Sequence, residues 1–242
     1  MSRLRSTAAP QAAALKQRIE ERNAEGASIR FNETLLPIIQ WDRAEPGCEE
    51  LAAVLMEVLA EIDVAGVSEG YYPGFGPSVA EAMLKHNFAD HKAFRVKGNR
   101  TTSTAGFHID SNSVPKMNGI IYLNEVGPDQ GPFSYVIGSN RWAFDLEDRA
   151  IRKAMDKCAF GSQRGRDLFA AIPRDYQRKC SFGWDIFDGS PESDALLAAE
   201  RAFTSDRGDL VLFDSDGVHR GGGVKEGMRL SILFNLALRE VL

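Results

Sequence analysis

The C-terminal stretch 208–238, GDLVLFDSDGVHRGGGVKEGMRLSILFNLAL, constrains the fold more than any other part of the chain. Two apolar runs, one at 210–213 and one opening with Arg229, are separated by an acidic bend, His219 and the glycines 221–223. Apolar runs of that length bounded by glycine and aspartate read as strands joined by a glycine-rich turn. A histidine and an arginine at neighbouring strand ends suit a pocket that holds a cation and an anion together. Far upstream, Phe107-His108-Ile109-Asp110 offers another histidine with a carboxylate two residues on. In a strand, residues i and i+2 project from one face. His108 and Asp110 can therefore grip one metal ion, and His219 can complete a set of two histidines and one carboxylate.

The preceding chain supplies helices first and strands later. Residues 8–25 predict a helix, with Pro10 near its start and Gly26 just past its end. Its only long apolar residues are Leu15 and Ile19, which suits a surface position. Between 49 and 63, Leu51, Val54, Leu55, Val58, Leu59 and Ile62 fall on one helical stripe, and Gly66 makes a natural stop. That helix is expected to pack on a sheet. Residues 70–77, GYYPGFGP, predict a loop, and Pro77-Ser78 predicts a shorter helix running to about Phe88. Then the period changes, and 92–97, 102–110, 117–124 and 132–137 predict strands. Residues 141–204 return to helical character, with 146–159, 166–172 and 193–203 as candidate helices.

This order predicts one α+β domain over 1–242 with a mainly β core. Residues 1–90 form mostly helical support, 92–140 and 205–240 supply barrel strands, and 141–204 form a helical insertion. The closed sheet most compatible with this order is a double-stranded β-helix, the jelly-roll or cupin-like barrel. Long connections in such barrels commonly form lids or binding loops. The insertion is therefore expected to cover the barrel mouth, with most of its aromatics serving core packing and a few in SFGWDIFDG, residues 181–189, expected to contact substrate.

Composition narrows the function. A net charge of −5 with scattered basic residues carries no nucleic-acid footprint. No apolar run approaches the roughly 20 residues of a membrane span. The N-terminal residues lack the apolar core of a secretory signal, which predicts a cytoplasmic protein. Cys48, Cys158 and Cys180 are widely separated and contain no CxxC, as reduced thiols would be.

Several residues have a bland reading beside the functional one. An HxD triplet alone arises often by chance, and Arg229 alone reads as an ordinary ion pair at a strand end. Together with His219 they read differently, because an arginine fork binds a carboxylate with two parallel charge-assisted bonds. Asp214 and Asp216 offer a rival carboxylate but more simply shape the bend. His86 and His91 read as surface or capping residues. Arg95, Lys97, Arg100, Arg141 and Arg220 read as solvated charges, with Arg220 the best candidate for attracting an anionic substrate. Tyr122 and Asn124 share a strand face that either lines the pocket or turns away from it. The run at 221–223 is a poor phosphate cradle, since a strand follows it instead of a helix.

HID at 108–110, GIIYLNEVGPDQGPFSYVIGSNRW at 119–142 and the terminal GD…F…H…R segment resemble the iron(II)- and 2-oxoglutarate-dependent oxygenases, within them the phytanoyl-CoA dioxygenase-like group. The resemblance covers about residues 94–238, leaving out the helical insertion. Ile137 and Asn140 stand where that group has proline and histidine, and Phe107 where it often has tryptophan. The resemblance implies that His108, Asp110 and His219 bind iron(II). It also implies that Arg229 pairs with the distal carboxylate of 2-oxoglutarate, with Ser231 as a hydrogen-bonding neighbour. Dioxygen is then the third reactant, and a small molecule the partner. Related halogenases lack the carboxylate to make room for halide, so Asp110 points to hydroxylation or another oxidation. Two alternatives stay open: a zinc-dependent hydrolase or lyase on a similar barrel, and a catalytically silent small-molecule-binding barrel.

Overall fold

A computed structural model describes residues 1–25, 35–71, 75–88, 110, 116–140, 167–168, 171–173, 194, 198–206 and 208–240. Helix α1 spans Ser2–Ala24 and α2 Glu49–Glu61, with α3 at Val64–Tyr71. The strands are β1 (Leu35–Gln40), β2 (Arg43–Ala44), β3 (Phe75–Phe88), β4 (Lys116–Tyr122), β5 (Phe133–Val136), β6 (Glu200–Phe203), β7 (Leu210–Asp214), β8 (His219–Gly221) and β9 (Met228–Glu240). They form a six-stranded sheet in the order β2-β1-β3-β9-β4-β7 and a three-stranded sheet in the order β6-β5-β8. The strand pairings within both sheets are antiparallel.

The helices cover one face of the large sheet. The stripe expected on α2 is buried at Leu51, Val54, Leu55, Val58 and Leu59, while Ile62 lies half-exposed beyond the helix end. These side chains join Ala82 and Leu84 of β3, Ile121 of β4 and Ile232, Phe234 and Leu236 of β9 in one core. Helix α1 begins earlier than its sequence suggested and belongs to this core as well. Leu4, Ala8, Ala12, Leu15 and Ile19 lie on one side of it, all buried. Small alanines let the helix approach closely, which a count of its long apolar residues does not register.

The break after α2 falls at Asp63, not at Gly66. Asp63 adopts a left-handed backbone (φ 53°) that ends α2, and its carboxylate accepts the Gly66 amide at 3.1 Å. That bond caps α3, a helix the sequence reading did not anticipate.

The largest departure is β3. Residues 77–88 form a strand, not a helix, and β3 pairs with β9 from Phe75↔Glu240 to Phe88↔Met228. Alanine, glutamate, methionine, leucine and lysine favour helices intrinsically, but here pairing with β9 and burial override propensity. Residues 1–90 therefore supply more than helical support, since β1, β2 and β3 contribute half the strands of the large sheet. Residues 200–203, assigned above to a helix, form β6 and pair with β5. The expected strands at 92–97 and 102–109, the helix at 146–159, and most of the insertion lie outside the described residues.

The second face of the large sheet looks toward the small sheet. Residues directly opposite in an antiparallel pair share a face. By register, Glu81, Met83, Lys85 and Asn87 of β3 therefore align with Asn235, Leu233, Ser231 and Arg229 of β9. Asn118, Ile120 and Tyr122 of β4 align with Asn235, Leu233 and Ser231. Between the sheets, Tyr122, Val126, Phe133, Tyr135 and Phe213 form a separate, largely aromatic cluster.

Candidate active site

The candidate site occupies the space between the sheets, and His219 enters it from β8. Tyr135 pairs with His219 across β5 and β8, and their rings stack at 10° with centroids 6.4 Å apart. Phe213 approaches the imidazole from β7 at 4.9 Å. His219 is buried, and its Nδ1 lies 2.8 Å from the Gly217 carbonyl. A carbonyl only accepts, so Nδ1 donates to it, and in the neutral imidazole Nε2 is then the nitrogen with a free lone pair.

That Nε2 lies 3.8 Å from Asp110 Oδ1. Asn118 holds the carboxylate from its other side, donating Nδ2 to Asp110 Oδ2 at 2.6 Å. The Asp110 amide donates to Ser215 O at 3.0 Å, which ties its segment to the bend before β8. Two donors each about 2.0–2.2 Å from one ion stand no more than about 4.4 Å apart. The imidazole and the carboxylate meet that limit, so this pair fits a divalent metal. His108 lies outside the described residues. Among the described residues, no group of three or more histidine, cysteine or acidic side chains forms a metal cluster.

The acidic bend is structural, as its bland reading held. Asp214 Oδ1 accepts the Asp216 amide at 2.9 Å, and the Asp214 carbonyl accepts the Tyr135 hydroxyl at 3.1 Å. A Cβ at Gly217 would overlap that phenol, so the bend requires glycine there. Gly222 is pressed against the backbone of Gly131 and Pro132, and its amide donates to Pro132 O at 3.1 Å. The glycine run thus serves close strand approach.

Arg229 and Ser231 both face the interior and both are buried. Arg229 donates Nη1 to Gly222 O at 3.1 Å and Nη2 to Asn87 Oδ1 at 3.3 Å. Both partners are neutral, and among the described residues no carboxylate meets the guanidinium. Burial pushes its pKa down from the usual arginine value. Beside it stands Lys85, which the helical reading of β3 concealed. Burial, and after it the Arg229 charge, lowers the Lys85 ammonium to about 7. Ser231 sits opposite Lys85 on one side and Tyr122 on the other. The Tyr122 hydroxyl accepts the Phe133 amide at 2.8 Å, and burial raises its pKa. The signal available for Lys85 was alternation: Glu81, Met83, Lys85 and Asn87 against Ala82, Leu84 and His86.

Other candidates fall elsewhere. Arg220 points from the outer face of the small sheet, where it makes a two-pronged pair with Glu200 at 2.7 and 2.8 Å. Ser134 donates to the same carboxylate. Arg220 is therefore a structural ion pair, because residues adjacent in a strand face opposite ways, and it does not share the His219 face. His86 is buried in β3 on the helix-packed side, not at a helix end. Asn124 joins β4 to β9, donating to Met228 O at 3.1 Å and accepting the Leu230 amide at 2.7 Å. Arg95, Lys97, Arg100, Arg141 and His91 lie outside the described residues. Cys48 is buried and reduced. No helix among the described residues is long and apolar enough to cross a membrane.

The space between the sheets thus gathers a histidine and a carboxylate 3.8 Å apart, the buried Arg229 guanidinium and the buried Lys85 amine, a donor set that suits a metal and an anion together. Among solved structures, the chain is similar to AviO1 from Streptomyces viridochromogenes Tue57, at 15% identity over 95% of this chain and 84% of that one, with a TM-score of 0.46. It is also similar to SnoK, a non-heme alpha-ketoglutarate-dependent carbocyclase from nogalamycin biosynthesis, at 15% identity over 94% and 74% with a TM-score of 0.49. A third is HygX from Streptomyces hygroscopicus with nickel and 2-oxoglutarate bound, at 14% identity over 91% and 78% with a TM-score of 0.41. No protein-family model matches the chain, and no curated protein matches it.

Proposed function

We propose that the chain is an iron(II)- and 2-oxoglutarate-dependent oxygenase on a double-stranded β-helix barrel, hydroxylating a small molecule. The observation that carries this reading is the buried Arg229, whose partners among the described residues are neutral, turned toward the inter-sheet space that also holds the Asp110–His219 pair. His108 is the third metal ligand in this reading. Iron(II) held there would supply dioxygen activation coupled to oxidative decarboxylation of 2-oxoglutarate, yielding succinate, carbon dioxide and an oxygenated substrate.

The chain's residues bind and orient. Arg229 retains N–H donors beyond the two engaged with Gly222 and Asn87, and these take the far carboxylate of 2-oxoglutarate. Lys85 stands next to it and accepts a proton as the dianion arrives. Ser231 and Tyr122 flank the carbon chain. Asn118 and Gly217 fix the carboxylate and imidazole, which keeps their orientation from being lost to solvent. The aromatic wall of Phe133, Tyr135 and Phe213 excludes water from the imidazole side.

The test is succinate formation from 2-oxoglutarate by protein loaded anaerobically with iron(II), then exposed to air with candidate substrates. Arg229→Ala is expected to raise the apparent KM for 2-oxoglutarate roughly ten- to hundred-fold, since a charge-assisted contact is worth about 1.5–3 kcal/mol. Metal content should stay near normal, and Arg229→Lys should recover part of the loss. Substrate turnover that ignores 2-oxoglutarate and runs with zinc would overturn the reading in favour of a hydrolase or lyase.

A further inference from the structure

The interior face carries a second polar row, of which the chemistry above uses only the Asn118 amide nitrogen. Glu81, Asn235 and Asn118 lie in one row across β3, β9 and β4. Asn235 donates Nδ2 to Glu81 Oε2 at 3.1 Å, and Asn118 donates Nδ2 to Asp110 Oδ2 at 2.6 Å. An ionised carboxylate only accepts, so both amide orientations follow from their partners. What the row still offers is a set of acceptors: the Glu81 carboxylate and the two amide oxygens. Asn118 Oδ1 is buried with no hydrogen-bond partner, in a residue only 5% exposed.

The row's position gives the acceptors a meaning. Asn118 touches Asp110 directly, so the row borders the metal pair. Lys85, Ser231 and Arg229 lie toward the other end of the same strands. The face is thus sorted along β9, with cations at one end and acceptors at the other. Glu81 and Asn118 are two strand spacings apart, about 10 Å, a span that suits a small ring or short chain.

We propose that Glu81, Asn235 and Asn118 form the substrate-orienting subsite, and that the group they take is an ammonium. The inference rests on the reading given under Proposed function. An ammonium supplies donors and an opposite charge to Glu81 while the rest of the molecule lies along the row toward Asn118, whereas a carboxylate or phosphate would meet like charge at Glu81.

Ligand-observed NMR on the full chain, loaded with zinc(II) and 2-oxoglutarate, tests this with cyclohexylamine, cyclohexanol and cyclohexanecarboxylate. The amine is expected to bind at least about tenfold more tightly than the alcohol, and the carboxylate more weakly than either. Glu81→Gln should erase the amine's advantage while 2-oxoglutarate binding is retained. Glu81→Lys should reverse the order in favour of the carboxylate. Thermal melts of both variants establish that they fold. If 2-oxoglutarate binds but the amine shows no preference, or keeps it in Glu81→Gln, the row holds only water and this inference falls. If 2-oxoglutarate itself does not bind, the proposed function falls and takes this inference with it.

Discussion

The two faces of β9 are made by alternate residues of one strand, yet they do different work. Leu230, Ile232, Phe234 and Leu236 pack with the helices in the main core. Arg229, Ser231 and Asn235 face the small sheet, together with Lys85 and Asn118, across the space that holds the Asp110–His219 pair. The first face supplies apolar burial, the dominant favourable term in folding. The second buries charges and amides, which cost free energy unless a ligand or neighbour satisfies them. Because the strand alternates strictly, stability and chemistry are segregated without any domain boundary.

The hardest break in that comparison comes from the inner side. His219→Ala should abolish 2-oxoglutarate turnover and sharply reduce metal binding, while unfolding free energy drops by no more than about 1.5 kcal/mol, the scale of a single hydrogen bond. Equilibrium denaturation and metal analysis of the purified variant read both. Full activity would place the site elsewhere.

Phe234→Ala probes the outer face with the opposite signature. Phe234 is fully buried, and truncating a buried phenylalanine costs about 3–5 kcal/mol. Denaturant melts should show that loss, while the metal affinity of the folded fraction is unchanged. A loss under about 1 kcal/mol would mean that the helix-packed face is not the core.

The smallest effect sharpens the contrast through pH. Burial first, and the Arg229 charge second, place Lys85 at about 7, whereas an unfolded lysine titrates near 10.4. Between those values the unfolded chain holds a proton that the native chain lacks. Native stability contributed by this group therefore rises with pH across that window and is flat below about 7. A bound dicarboxylate favours the charged ammonium, so binding above pH 7 takes up a proton. Affinity for 2-oxoglutarate should fall as pH rises from 7, by at most about tenfold per unit. Calorimetric titration at pH 8 in two buffers of different ionisation enthalpy measures the uptake. Lys85→Met should remove it, and no uptake in the unaltered chain would mean that Lys85 does not meet the anion.

Spacing along the chain suffices for the elements whose pattern and propensity agree. The α2 stripe, the runs that became β4, β5 and β7, the turn chemistry around 214–217, and the i, i+2 placement of Arg229 and Ser231 were all legible from spacing. His219 and Asp110 stood out by residue type, and the structure brings their side chains to 3.8 Å. Tertiary structure decided the rest. Residues 77–88 are built from helix formers, and only pairing with β9 makes them a strand. That pairing is a long-range contact which no local window contains. With it came the inward Lys85 and Glu81, the burial of His86, and the acceptor row beside Asp110. Arg220 likewise could be assigned to the outer face only once its register with Ser134 and its pairing with Glu200 were known. A residue's type states what it can bond; which face of a sheet it occupies depends on partners far away in the chain, because burial is a property of the assembled sheet.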